Sequence, residues 1–217
     1  MLTIHAADLV VPVGAEPIAR GAVAVDGTTV VALGPYEDVA AARPAARVRR
    51  WPGVLTPGLR NDRGGFLLEH AYFPEDPGES DALGPGPLTG DALAALRMTE
   101  ARRGNSARRC TQKLLAHGVV AVTGPLGIAA VRQAVRRAGL AVGGGVADDA
   151  PATASGAGLD PLAGGAPLAS VVAHPLAVGS RADLAVFDVP DEAALRARGT
   201  GTCVATVLGG RLVHRRR

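Results

Sequence analysis

Aromatic side chains make up only 3% of the 217 residues, and Lys113 is the single lysine. So few rings cannot stack on a run of bases, which argues against a nucleic-acid binder despite the many arginines. Cysteine is nearly absent: Cys110 and Cys203 stand far apart with no metal-clip spacing. Two lone thiols exclude a disulfide scaffold and fit reduced residues in a cytoplasm. No apolar run approaches the roughly 20 residues that span a bilayer. The N-terminus, Met1-Leu-Thr-Ile-His-Ala-Ala-Asp8, lacks the basic and apolar regions of a secretion signal. A soluble cytoplasmic protein with no membrane partner is expected.

What is present is Ala, Gly, Pro and Arg, with 47% hydrophobic and 20% charged residues and a net charge of +3. That composition is globular and can bury one good core or two small ones. The charges are unevenly spread. Residues 62–91 hold seven acids and one base, and residues 95–140 hold nine bases and one acid. Such a dipolar middle can pair internally or with a second copy; two solvated faces of opposite sign are the simpler expectation.

The pattern along the chain is strand-rich at both ends. Residues 2–33 read as strands, and Asp26-Gly27 between two β-branched runs predicts a type I′ hairpin. A short helical turn is expected over 36–42, then a strand from Val48 to Leu55 interrupted at Trp51-Pro-Gly53. Residues 74–90 are so rich in Pro and Gly that they predict a loop. Thr89 or Asp91 can cap a helix through Leu93, Leu96 and Ala101, with a break at Gly104-Asn-Ser106 and a second helix from Ser106 to His117-Gly118. Val119–Thr123 reads as a buried strand, Pro125 as a helix start before Ile128, Val131 and Val135, and Leu140–Val142 as another strand. Strand and helix alternating in this way predict a parallel β/α segment. Residues 143–169 read as a linker or floppy loop. There is no internal repeat.

Two motifs carry a resemblance. Residues 52–66, Pro-Gly-Val-Leu-Thr-Pro-Gly-Leu-Arg-Asn-Asp-Arg-Gly-Gly-Phe, resemble the lead-in to the first barrel strand of the amidohydrolase superfamily. Residues 176–188, Leu-Ala-Val-Gly-Ser-Arg-Ala-Asp-Leu-Ala-Val-Phe-Asp, resemble its C-terminal signature, followed by a closing hairpin through Val213. The nearest flavour is that of imidazolonepropionase and aminodeoxyfutalosine deaminase. The resemblance implies an α/β protein: a composite β-sandwich from both termini (1–58 and 175–217) beside a segment derived from a (β/α)8 barrel (59–174). A complete barrel takes about 250 residues. The 109 residues from Asp62 through Ser170 hold at most about three β/α units, so the barrel is expected to be truncated.

The family's metal-binding His-x-His pair falls on Arg63 and Gly65. An arginine stays protonated and cannot ligate a cation, and glycine has nothing to offer. The middle strands that would bring further ligands have no room. Asp160 could stand where the family's last aspartate does, but a catalytic metal site normally needs three protein ligands. No metal and no cofactor are expected. Arg63, Glu69 and His70 are the candidates for a rebuilt site, although Glu69 and His70 on a strand would point to opposite faces.

The other histidines read as structural: His5 and His214 at the surface, His117 as a cation at a helix end, His174 before Pro175. Cys110 reads as a half-buried core residue. The resulting expectation is an amidohydrolase-like protein that has lost metal-dependent catalysis and acts in binding, scaffolding or regulation. A residual hydrolase of non-peptide C–N bonds is the alternative, and an arginine-driven anion binder a third. A homodimer or another protein partner is expected to cover the helix faces and strand edges that a closed barrel would hide, and a small-molecule ligand fits the same reading.

Overall fold

Alternating apolar residues at the two ends of the chain build one sheet. The computed structural model describes residues 1–74, 77–84, 86–143 and 158–216. The N-terminal part runs through β1 (Thr3–Val10), β2 (Ile18–Ala19), β3 (Gly21–Asp26), β4 (Thr29–Pro35), helix α1 (Tyr36–Ala41) and β5 (Arg47–Pro57). The middle runs through β6 (Leu59–Asn61), α2 (Gly64–His70), α3 (Pro77–Leu83), α4 (Gly90–Ala94), α5 (Glu100–Ala116), β7 (Val119–Thr123), α6 (Ala129–Ala138), β8 (Ala141–Gly143) and α7 (Leu168–Val171). The C-terminal part adds β9 (Leu184–Phe187), α8 (Glu192–Arg198), β10 (Cys203–Leu208) and β11 (Arg211–Arg215).

The large sheet has the order β11-β10-β9-β5-β1-β3-β4, with β2 paired to β1. The two ends of the chain meet at β5 and β9, where Leu55 stands opposite Val186. Val30 N donates to Ser180 O at 2.9 Å, Ala182 N to Thr28 O at 2.8 Å and Gly210 N to Ala182 O at 2.8 Å. These bonds fold the sheet over its own inner face.

The period of two then sorts the side chains. Val23, Val25, Leu55, Leu184, Val186 and Val207 fill the inner face. Ala22 and Ala24 turn the other way, onto Ile4 and Val39 of α1. On β9, Ala185 and Phe187 face the α/β segment and join Val54, Leu114 and Val119. That segment is a second sheet, β6-β7-β8, wholly parallel.

Several expectations need correction. The strand β5 runs unbroken through Trp51-Pro-Gly53, and the irregularity becomes a register shift against β1 between Ala7 and Leu9. The β3–β4 hairpin forms, but only Gly27 takes positive φ (57°), as in a II′ rather than a I′ turn. Residues 77–83 are helical, not loop. Helix α5 has no break at 104–106. Ser106 is buried there and reaches across to another segment: Phe73 N donates to its Oγ at 3.0 Å, and the hydroxyl donates to Ala71 O at 3.3 Å. Tertiary partners override the local break signal. Thr99 caps that helix, accepting from Arg102 N at 3.2 Å.

Pro125 lies outside α6, whose N-cap is Ile128. Of the 143–169 tract, residues 144–157 lie outside the described residues. Residues 158–169 are not floppy: Leu162 and Leu168 are fully buried in the main core. Leu140 is buried, but Ala141 is exposed and Val142 is 50% exposed, so β8 is not covered on both faces. Among the described residues no helix is long and apolar enough to cross a membrane.

Candidate functional site

In open parallel sheets ligands gather beyond the carboxyl ends of the strands. Asn61 stands beside Val122 across β6 and β7, so the next residues, Asp62 and Thr123, meet at that end. Asp62 accepts from Thr123 Oγ1 at 2.7 Å and from Arg60 Nε at 2.7 Å. The Arg60 bond comes first in holding the Asp62 carboxyl below the usual carboxylate range; Thr123 helps, and partial burial opposes. Arg60 NH2 also donates to Ser170 O at 3.0 Å. Sequence reasoning missed this group. Its signal was present in the i, i+2 spacing of Arg60 and Asp62, which puts both on one side of a strand.

The strand-one pattern ends sooner than expected. The Asn61 side chain accepts from Arg63 N at 2.9 Å and donates to Gly158 O at 2.8 Å, a local turn that stops β6. Arg63 is therefore the N-cap of α2, and Gly65 lies in its first turn instead of on a strand. A Cβ on Gly65 would collide with the Thr123 carbonyl oxygen, and one on Gly64 with the Val122 side chain. The backbone at Gly65 therefore leaves no room for a side chain.

Glu69 and His70 also ride on α2, not on a strand. The helix sets both on the rim of one cleft of about 510 Å³, lined also by Phe66, Leu93, Leu96, Met98 and Arg103; Arg63 is not part of its lining. Glu69 Oε1 accepts from Ile128 N at 2.8 Å, so it serves the start of α6. The exposed His70 ring lies tilted on Phe66, centroids 5.1 Å apart.

The remaining histidines are scattered. His5 is 2% exposed, correcting the surface reading; its Nδ1 accepts from Trp51 Nε1 at 3.2 Å. Burial, with help from the Arg49 charge, pushes its pKa down to about 4. His214 is half-buried rather than fully at the surface, and burial lowers its pKa. His117 contacts Thr200 Oγ1 at 2.9 Å, and burial lowers its pKa despite nearby Asp160, so it is not the helix-end cation expected. Asp160 spends both oxygens on backbone, on Leu162 N at 2.8 Å and Thr200 N at 3.0 Å.

His174 Nε2 lies 3.4 Å from Asp183, the buried aspartate of the C-terminal motif. Asp183 also accepts from Gly209 N at 2.6 Å and Arg181 Nε at 2.9 Å. Burial would raise its pKa, but the bonds from His174, Gly209 and Arg181 outweigh it. That motif is thus a clamp on the sheet. Cys110 is fully buried, not half-buried, and burial pushes its thiol pKa up, as it does that of Cys203 to about 11; neither is a nucleophile. Among the described residues no three His, Cys, Asp or Glu side chains converge on a metal-sized site.

Solved structures resemble parts of this fold. Ochratoxinase from A. niger is 21% identical over 66% of this chain and 31% of its own, with a TM-score of 0.46. Aminofutalosine deaminase from Helicobacter pylori is 16% identical over 67% and 33%, at 0.43. Guanine deaminase from Bradyrhizobium japonicum is 16% identical over 67% and 35%, also at 0.43. The chain spans about a third of the length of these structures. No family model and no curated protein matches it. A sheet drawn from both termini stands beside a short parallel β/α run, the mixed α/β arrangement expected from the sequence.

Proposed function

We propose that this chain is a binding protein on an amidohydrolase-like fold, without metal-dependent catalysis. The observation that supports it is steric. At the carboxyl end of β6 the second ligand position is closed by the Thr123 carbonyl, and the first has become the cap of a helix. A histidine at either place would need the strand to continue where the helix now starts. The residual-hydrolase reading around Arg63, Glu69 and His70 keeps only the cleft that Glu69 and His70 share, and the Glu69 carboxylate is already engaged by Ile128.

The proposed working form is a homodimer in the cytoplasm. The two buried thiols support that compartment, and the exposed Val142 on β8 supports association along that edge. Elemental analysis of protein purified without chelators tests the loss of catalysis. Substoichiometric zinc, iron and manganese, with no turnover of cyclic and exocyclic C–N substrates, is expected. About one tightly held metal per chain would overturn the reading. Its ligands would then have to be drawn from His70, His117, His174, Asp160 and the Asp148–Asp149 pair.

A further inference from the structure

The cleft beside α2 has the parts of a ligand site. Helix α4 buries none of its residues, so Leu93, and Leu96 and Met98 after it, stop half-buried along one wall. Phe66, on α2, lines the same cleft. A volume of about 510 Å³ lies within the range of small-molecule sites. Arg103, on the first turns of α5, brings a half-buried guanidinium to this apolar wall. Its neighbour Arg102 is paired with Glu79 at 2.5 Å, whereas Arg103 has no side-chain partner among the described residues. The same lining carries Glu69, whose negative charge repels a dianion approaching Arg103. Half-covered aliphatic side chains, one open cation and one nearby negative charge select an amphipathic monoanion.

We propose that this cleft binds a small alkyl monocarboxylate, its carboxylate on Arg103 and its chain along Leu93, Leu96 and Met98. The flat fork of a guanidinium matches a carboxylate at two points, and the flexible Met98 adapts to an alkyl chain. The inference rests on reading the chain as a binding protein, but its test does not involve metal, so each can fail without the other.

Octanoate is the probe, titrated calorimetrically into the full chain, with octan-1-ol and octylamine as controls. Octanoate should bind at least tenfold more tightly than either. A hydrogen bond to a charged group contributes about 1.5–3 kcal/mol, so Arg103→Gln should weaken binding by about tenfold or more. Leu96→Ser should weaken it several-fold, and Arg137→Gln, on α6, should leave it unchanged. No heat with millimolar octanoate would overturn the proposal. So would equal binding of octan-1-ol, preference for octylamine, or equal losses in the Arg103 and Arg137 variants. Circular dichroism confirms that each variant is folded, and Leu96→Ser keeps the test open should Arg103→Gln misfold.

Discussion

Acid should destabilise this protein through one histidine. His5 sits in β1 with its ring stacked on Trp51, 6.1 Å between centroids and 9° between planes. Its Nδ1 must be unprotonated to accept from Trp51 Nε1. Burial comes first in disfavouring the cation, and Arg49 adds to it. The folded pKa is therefore about 4 against 6.5 unfolded. With a lowered folded pKa the unfolded chain binds the extra proton, so stability is full above pH 6.5 and falls as pH drops toward 4.

The shift from 6.5 to about 4, at about 1.4 kcal/mol per pH unit, makes the loss about 3 kcal/mol. That is a large share of a domain's typical 5–15 kcal/mol. The other lowered histidines, His117 and His214, act in the same direction, and raised His174 in the opposite one. A direct comparison isolates His5. His5→Asn keeps an acceptor near the Nδ1 position and cannot titrate. Urea unfolding of both proteins from pH 7.5 down to 4 should show the wild type losing about 3 kcal/mol relative to the variant. A gap that stays constant with pH would refute the reasoning, as would a folded-state His5 pKa near 6.5 by nuclear magnetic resonance.

Other outcomes follow from the packing. Gly65→Ala, which drives a Cβ into the Thr123 carbonyl, should cost about 1–3 kcal/mol in urea unfolding; an unchanged midpoint would show that the closed position is not closed. Deleting residues 176–217 removes β9–β11 and strips one of its two neighbours from β5, so the N-terminal strands should lose protection from hydrogen exchange. A folded, soluble fragment would refute the shared sheet. Light scattering at micromolar concentration should find a dimer that Val142→Asp converts to a monomer; a wild-type monomer at moderate salt would sink the proposed homodimer.

The fold was legible wherever local chemistry and packing agreed. Alternation in residues 2–33 marked the terminal sheet because its strands bury one side chain in two against α1 and the other against β9 and β10. Helix α6 was visible in Val131 and Val135, and its end in Gly139. Two failures share a cause, a long-range partner that the local sequence does not contain. Gly104-Asn-Ser106 looked like a break, but Ala71 and Phe73 claim the Ser106 hydroxyl and α6 packs close at Gly104. His5 looked exposed because its cover, Trp51, lies 46 residues on. The site suffered most. Arg63 and Gly65 were placed by counting along a strand, and the Asn61 turn ended that strand first.

How so short a run of parallel sheet stays folded can be read at its two edges. An open parallel sheet needs cover on its faces and its edges. Helices α5 and α6 bury one face through Leu114, Val131 and Val135, and Phe187 of the large sheet reaches the same core. The outer edge of β6 is met by the chain returning from α7: Leu59 bridges to Val172, Ala173 N donates to Gly58 O at 2.9 Å, and Arg60 holds the Ser170 carbonyl. The returning chain closes that side and carries the backbone on to the Asp183 clamp. The same cannot be said of β8. It is three residues long, pairs with β7 alone among the described residues, and leaves Val142 half exposed. Among the described residues the returning chain thus meets one edge of this sheet, and the proposed homodimer would pair along the other, at β8.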